Sequence, residues 1–376
     1  MGTTHYIPTP HYRNTTSGHK ALYSNSTGNY NTASGNSALY FNTTGNYNTT
    51  SGNEALFYNT TGNYNTASGN NALYSNTSGS FNIAIGVKAL YKNTDRSNLV
   101  AIGDSALYNN GTGASYFWEA RKNTALGSKA LFNNTTGYYN TASGYKALTY
   151  NTTGCNNTAS GKEALYSNTT GYDNTAFGIY SFYNGTYYHN STAIGYDAQP
   201  GGSNQVRLGN SDVTSIGGYA NWTNLSDGRF KTNVQENVVG LEFIEKLRPV
   251  TYHLDMDAIA NFNKTPDSLR LPESERLKAA ELQTGFIAQE VEQAAQSVGY
   301  NFHGVDTPDN ENDHYGLRYA EFVVPLVKAV QEQQEIIKQQ ETKLQEQDSK
   351  LQQQETMLQE QEKRLQILEK MLLKNK

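Results

Sequence analysis

Apolar positions in the first two hundred residues recur at a fixed interval. A glycine closes each unit: Gly18, Gly35, Gly52, Gly69, Gly86, Gly103, Gly127, Gly144, Gly161, Gly178 and Gly195. The interval is 17 residues, apart from one step of 24. In the first four units Ala stands three residues after the glycine (Ala21, Ala38, Ala55, Ala72) and Leu four after it (Leu22, Leu39, Leu56, Leu73). An aromatic stands five after it (Tyr23, Tyr40, Phe57, Tyr74). Asn stands seven after it (Asn25, Asn42, Asn59, Asn76) and four before the next glycine (Asn31, Asn48, Asn65, Asn82). Seventeen residues are too few for a helix pair with its turns. They suit one coil of two short strands and two turns, with Gly and Asn at positive-φ corners. Stacked coils set like residues over like, about 4.8 Å apart. Leu and Ala columns then make a thin core, and Asn columns make side-chain amide ladders. Each coil touches only its neighbours, so the product is a rod.

The residue before the glycine is Ser in most coils but Ile85, Ile102, Leu126, Phe177 and Ile194 in others. Such a site is expected to be half buried against a neighbouring chain. A solenoid this narrow has little interior, so three chains are expected to pack side by side. The step between Gly103 and Gly127 carries an insertion near 110–122, with Tyr116, Phe117 and Trp118 beside Glu119 and Arg121. An aromatic loop leaving a regular rod can stack on sugars or dock on a partner, so Tyr116, Phe117, Trp118 and Arg121 are candidate receptor contacts.

The pattern changes after residue 200. Gly201 and Gly202 break the array, and a neck runs over 201–225. "VGLEFIEKLRPVTYHLD" from Val239 predicts a short helix, a stop at Pro249 and a strand. "TGFIAQEVEQAAQ" from Thr284 predicts a strand leading into an amphipathic helix. "YGLRYAEFVVPLVKAVQEQQE" from Tyr315 opens a long helix. Its heptads place Val323, Val330, Ile337, Leu344, Leu351, Leu358, Leu365 and Leu372 at a. Position d is Leu326, then Gln333, Gln340, Gln347, Gln354 and Gln361, then Leu368. That pattern predicts a left-handed coiled coil over 326–376, with glutamine layers fixing register.

Composition sharpens the division. Residues 1–200 hold 10 Lys and Arg, 7 Asp and Glu, and 23 of the 28 tyrosines; residues 201–376 hold 19 basic and 27 acidic residues. The net charge of −5 gives no reason to expect nucleic acid or an anionic membrane surface. No apolar run approaches membrane-spanning length, so no membrane insertion is expected. The N-terminal MGTTHYIPTPHYRN lacks the apolar core of a signal peptide, so the expectation is assembly in the cytoplasm, export by another route, or a leader that this sequence does not include. Residues 1–15 are expected to be an attachment segment. Cys155 is the only cysteine, so neither an intrachain disulfide nor a cysteine-based metal site is expected; it stands as a repeat-position substitute. No cofactor or metal is called for. The many Asn-x-Thr/Ser triplets are expected to be turn and ladder residues.

"NTASG", "STAIG" and "ALY" over about 15–200 resemble the head repeats of trimeric autotransporter adhesins and repeat arrays of bacteriophage tail fibres. The blocks "SDGRFK", "GFIAQEVE" and "Y…FVVPLVKAVQEQ", over about 226–340, resemble the C-terminal intramolecular chaperone of phage endosialidase tailspikes. The fold class expected is therefore mainly β: a trimeric β-solenoid rod over 16–200, a small α+β chaperone and autoprocessing domain over 226–325, and the coiled coil. The resemblance implies that the domain trimerises the chain and cuts it between Leu225 and Ser226, with Ser226 as nucleophile and Lys231 as general base. Asp227, Gly228 and Arg229 would support the turn between them. The chemistry adds a condition. A lysine acts as base only when neutral, and moving its pKa from about 10.4 to about 7 by burial costs about 4–5 kcal/mol. Side chains five apart also meet only if the chain turns, which Gly228 would permit.

The resulting expectation is a homotrimeric fibre that reaches a cell-surface glycan receptor. It would sit on a phage tail, or on the baseplate of a phage-like injection particle, as part of the virion or an extracellular particle. A bacterial surface adhesin is a near variant. A tailspike-type glycan-degrading enzyme is the alternative, and it needs a carboxylate pair in a groove. The repeat region offers Glu54, Asp95, Asp104, Glu119, Glu163, Asp173 and Asp197, mostly in different coils.

Overall fold

A computed structural model describes residues 13–374. Most of the expected attachment segment, residues 1–12, lies outside the described residues. Twelve three-residue strands, β1 (Thr15–Ser17) to β12 (Val206–Leu208), stack in sequence order into one parallel sheet. Successive strands pair at the repeat offset, Thr32↔Thr49 and Thr49↔Thr66, and the 24-residue step pairs Val100↔Thr124. The array continues beyond the expected boundary at 200, because Thr192 pairs with Val206 in a shorter last rung.

The rung differs from the expected two strands and two turns. Each has one strand, and the rest is turn. Left-handed backbone is not confined to Gly and Asn: the column leucines from Leu22 to Leu165 have φ between 50° and 55°, and Tyr30, Tyr47 and Tyr64 lie at 56–58°. A left-handed residue costs roughly 1–2 kcal/mol. Full burial of a leucine returns about 1.5–3 kcal/mol, which offsets the strain. Leu39, Leu56, Leu73, Leu90, Leu107, Leu131, Leu148 and Leu165 are all completely buried, with the column alanines beside them. Phe182 occupies the leucine position in the tenth rung and is equally buried. Glycine is required where rungs approach most closely: Gly35 has φ 138°, and a Cβ there would run into the carbonyl of Gly52.

Two asparagine ladders run through the core. In the inner one, Asn42 Nδ2 donates to Asn25 Oδ1 (2.7 Å), Asn59 Nδ2 to Asn42 Oδ1 (2.8 Å) and Asn76 Nδ2 to Asn59 Oδ1 (2.9 Å). Each of the three also donates to the glycine carbonyl three residues ahead, closing its own turn. In the second ladder, Asn48 and Asn65 bring their backbone N–H to the side-chain oxygen one rung back. The buried amides of Asn42 and Asn59 are thereby satisfied, as burial demands. Tyr23, Tyr40, Phe57, Tyr74, Tyr91, Tyr108 and Phe132 form a continuous stack with centroids 5.1–5.3 Å apart. The column before the glycine, expected to be half buried, is exposed in the single chain at Ile85, Ile102, Leu126, Phe177 and Ile194. The cause is strand alternation, which turns the central Ala inward and both flanking residues outward.

The contacts divide the chain into two bodies. Residues 254–281 and 309–314 belong with the rod. They supply the helices Met256–Phe262 and Pro272–Ala280, tied together by Arg270, which pairs with both Asp257 and Glu275. They reach the last rungs through Tyr196 Oη to Leu269 O (2.9 Å), Asn184 Nδ2 to Asn263 O (3.1 Å) and Gln205 Nε2 to Asp313 Oδ2 (3.2 Å).

The second body contains the helix Leu241–Ile244, the antiparallel strands Val250–Tyr252 and Gln283–Gly285, and the helix Ala288–Ser297. Phe243, Val291, Ala295, Phe302 and Phe322 form its core. The helix Val323–Lys374 follows, 52 residues long. Leu241 N donates to Glu332 Oε2 (2.7 Å), fixing the first helix to the last. Beyond this core the heptad positions Ile337, Leu344, Leu351, Leu358, Leu365 and Leu372 are exposed along one chain.

Candidate functional site

Ser226 begins a tight turn. Asp227 accepts the Arg229 N–H (2.9 Å) and caps the 3₁₀ turn Gly228–Phe230, and Lys231 N donates to Gly228 O (3.2 Å). That turn reverses the chain and brings Lys231 Nζ to 2.8 Å from Ser226 Oγ. Gly228 does not provide the reversal in the way the sequence suggested. Its φ is outside the left-handed region and a Cβ there would meet nothing. An ordinary right-handed turn with an Asp cap is sufficient. The Arg229 guanidinium grips Asp227 through Nε and Nη2, holding that carboxyl below its usual range and the guanidinium above its own.

The pair has nucleophile–base geometry without a dry environment. Leu225, Ser226 and Lys231 are all exposed. The desolvation that a lysine base requires is not supplied within one chain.

The inserted loop is built differently. Tyr116 stacks on Trp118 with centroids 4.6 Å apart, and Phe117 meets Trp118 edge-on at 5.1 Å. Phe117 is 71% exposed. Glu119 Oε2 accepts the backbone N–H groups of Ser115 (2.7 Å) and Tyr116 (2.9 Å), so this carboxylate is committed to the loop. Arg121 is half buried, and its carbonyl accepts Tyr139 N. The residue missed from sequence is Arg96. It is 4% exposed and donates to Tyr116 O and Ala114 O, both at 2.9 Å. A signal existed: Arg96 stands in the column otherwise held by Gly28, Gly45, Gly62 and Gly79, one rung before the insertion. The inserted loop receives this side chain on its backbone carbonyls.

Two carboxyls near the rod's end titrate high. Burial pushes Asp197 up, against a bond from Gln199 Nε2 (2.8 Å). Burial and the nearby charge of Glu275 push Asp212 up. The Cys155 thiol is also raised by burial, which makes it a poor thiolate.

Residues 226–300 match the family model described as chaperone of endosialidase. No curated protein and no solved structure matches the chain. A β-solenoid rod followed by a chaperone-of-endosialidase domain and a long C-terminal helix fits a tail-fibre-like protein with an intramolecular chaperone.

Proposed function

We propose that the chain is a homotrimeric attachment fibre. Its C-terminal domain holds three copies in register during folding, then cuts itself off between Leu225 and Ser226. The observation that carries this is the family match beginning at Ser226, the residue whose Oγ lies 2.8 Å from Lys231 Nζ. Neutral Lys231 takes the Ser226 hydroxyl proton, and Oγ attacks the Leu225 carbonyl carbon. The Leu225–Ser226 C–N bond breaks, and the departing Ser226 nitrogen takes the proton back from the lysine, leaving an ester on Oγ. Water then cleaves the ester, giving a Leu225 carboxylate and a Ser226 with free amine and hydroxyl. The pair is exposed in one chain, so contact between chains would provide the desolvation and make cutting report assembly.

The rod carries the binding role. The Tyr116–Phe117–Trp118 platform is exposed and internally stacked, suited to stacking on a cell-surface glycan. The place of action is a phage virion tail or an injection-particle baseplate after cytoplasmic assembly, with a bacterial surface adhesin as the near variant. A glycan-degrading site at this loop is disfavoured because Glu119, its one carboxylate, already holds two backbone amides. Mass spectrometry of purified protein tests the cut. Fragments 1–225 and 226–376 are expected, with full-length chain alone from Ser226→Ala and from Lys231→Ala. Uncut parent protein would refute autoprocessing.

A further inference from the structure

The chain from Val213 to Leu225 reads VTSIGGYANWTNL and contains no charged residue. Its large apolar side chains are Val213, Ile216, Tyr219, Trp222 and Leu225, one residue in every three. All five are exposed, Trp222 by 86% and Leu225 by 80%. None of the segment is in a strand or helix. On a strand, a spacing of three would scatter these side chains over both faces. On an α-helix it would carry them around the axis by about 60° per step. It is the period of an extended chain with three residues per turn and no internal hydrogen bonds. On such a chain the five side chains form one straight stripe, about 37 Å long at roughly 3.1 Å per residue.

We infer that this stripe is a seam at which copies of the chain wind about a common axis, each presenting Val213, Ile216, Tyr219, Trp222 and Leu225 to the same residues of the others. The occupant follows from the interval. An unrelated partner would have to reproduce a three-residue repeat over thirteen residues, whereas a copy in register does so by identity. The absence of charge means that like meets like without repulsion. The helix Val323–Lys374 makes the same demand from the other side of Ser226. Its exposed seven-residue stripe is satisfied by parallel copies. The neck stripe also stops at a meaningful place. The next position in step is Gly228, so Leu225 is the last side chain withdrawn from water. Assembly of the seam therefore dries the Leu225–Ser226 bond and the amine beside it. The seam rests on the homotrimer reading for its copy number.

The test uses the full chain with Ser226→Ala, so that it stays whole, and Cys155→Ser, so that no native thiol remains. Single cysteines are then placed as Ser215→Cys, Ile216→Cys and Gly217→Cys, and oxidation is followed on non-reducing gels. A disulfide needs Cα atoms roughly 4.4–6.8 Å apart. Ile216→Cys is expected to cross-link between chains at least tenfold faster than either neighbour. Equal rates at the three positions, or none at 216 in a protein that light scattering shows to be multimeric, would overturn the seam while leaving the homotrimer standing. A monomeric mass would overturn both. A second measurement leaves the neck native: with Trp118→Phe, Trp222 reports alone. Blue-shifted emission shielded from iodide supports the seam, and water-exposed emission overturns it.

Discussion

Asn59 lies in the inner asparagine ladder and is completely buried. Its Nδ2 donates to Asn42 Oδ1 (2.8 Å) and Gly62 O (3.0 Å), and its Oδ1 accepts from Asn76 Nδ2 (2.9 Å). Asn59→Ala deletes all three. At about 1 kcal/mol net for each, the rung loses about 3 kcal/mol. Asn168 provides an internal control. It stands in the same column and is equally buried, but its Oδ1 has no partner. Asn168→Ala removes only the bonds to Asn151 Oδ1 (2.8 Å) and Gly171 O (3.1 Å), about 2 kcal/mol by the same figure. The packing volume lost is the same in both, so the difference isolates the third bond. Hydrogen exchange with mass spectrometry on the full chain reads each rung locally. Amides around Asn59 are expected to exchange about 150-fold faster in the variant, and those around Asn168 about 30-fold faster in theirs, at tenfold per 1.4 kcal/mol. Exchange within threefold of the parent in Asn59→Ala would sink the ladder account. So would an Asn168→Ala effect as large as that of Asn59→Ala.

Arg96→Met keeps most of the side-chain volume but removes the donors to Tyr116 O and Ala114 O. With Trp222→Phe in the background, Trp118 is expected to show lower fluorescence anisotropy and at least twofold stronger acrylamide quenching; unchanged values would mean that the loop holds its own shape. Burial raises the Asp197 carboxyl above its unfolded pKa, so its ionisation costs the folded state more than the unfolded one. Stability from this group is greatest below the unfolded value of about 3.9 and falls as pH rises through the folded pKa. Asp197→Asn keeps the acceptor for Gln199 and tolerates the φ of 49°. Its Tm is expected to exceed the parent's at pH 7 and to converge with it near pH 3; a lower Tm at pH 7 would contradict the sign.

The solenoid was legible because its chemistry repeats. Leu39, Leu56 and Leu73 fill one column and Asn42, Asn59 and Asn76 another, and stacking follows from identity at a fixed offset. The path within a rung was hidden because a leucine at φ near 54° defies local preference. Only burial against the adjacent rungs makes it tolerable, and that is a tertiary effect. Ser226 and Lys231 were visible as a motif, and Asp227 and Arg229 as residues that hold the turn between them; only the conformational freedom expected of Gly228 goes unused. Arg96 was passed over because it lies some twenty residues before the loop it holds. The helix Met256–Phe262 escaped because its apolar face, Met256, Ile259 and Ala260, is a single turn long, and Pro272–Ala280 because it buries no residue; they are held by Arg270 and by contacts with the rod.

The step from Val100 to Thr124 is seven residues longer than the seventeen-residue steps beside it, yet the strands on either side pair in the same register. The surplus leaves as a loop and the stack continues undisturbed. Length and surface chemistry are therefore separable in this chain. Duplicating or deleting one seventeen-residue block would change the distance spanned by a single increment of about 4.8 Å. New sequence spliced between rungs would alter what the surface touches without altering how far it extends.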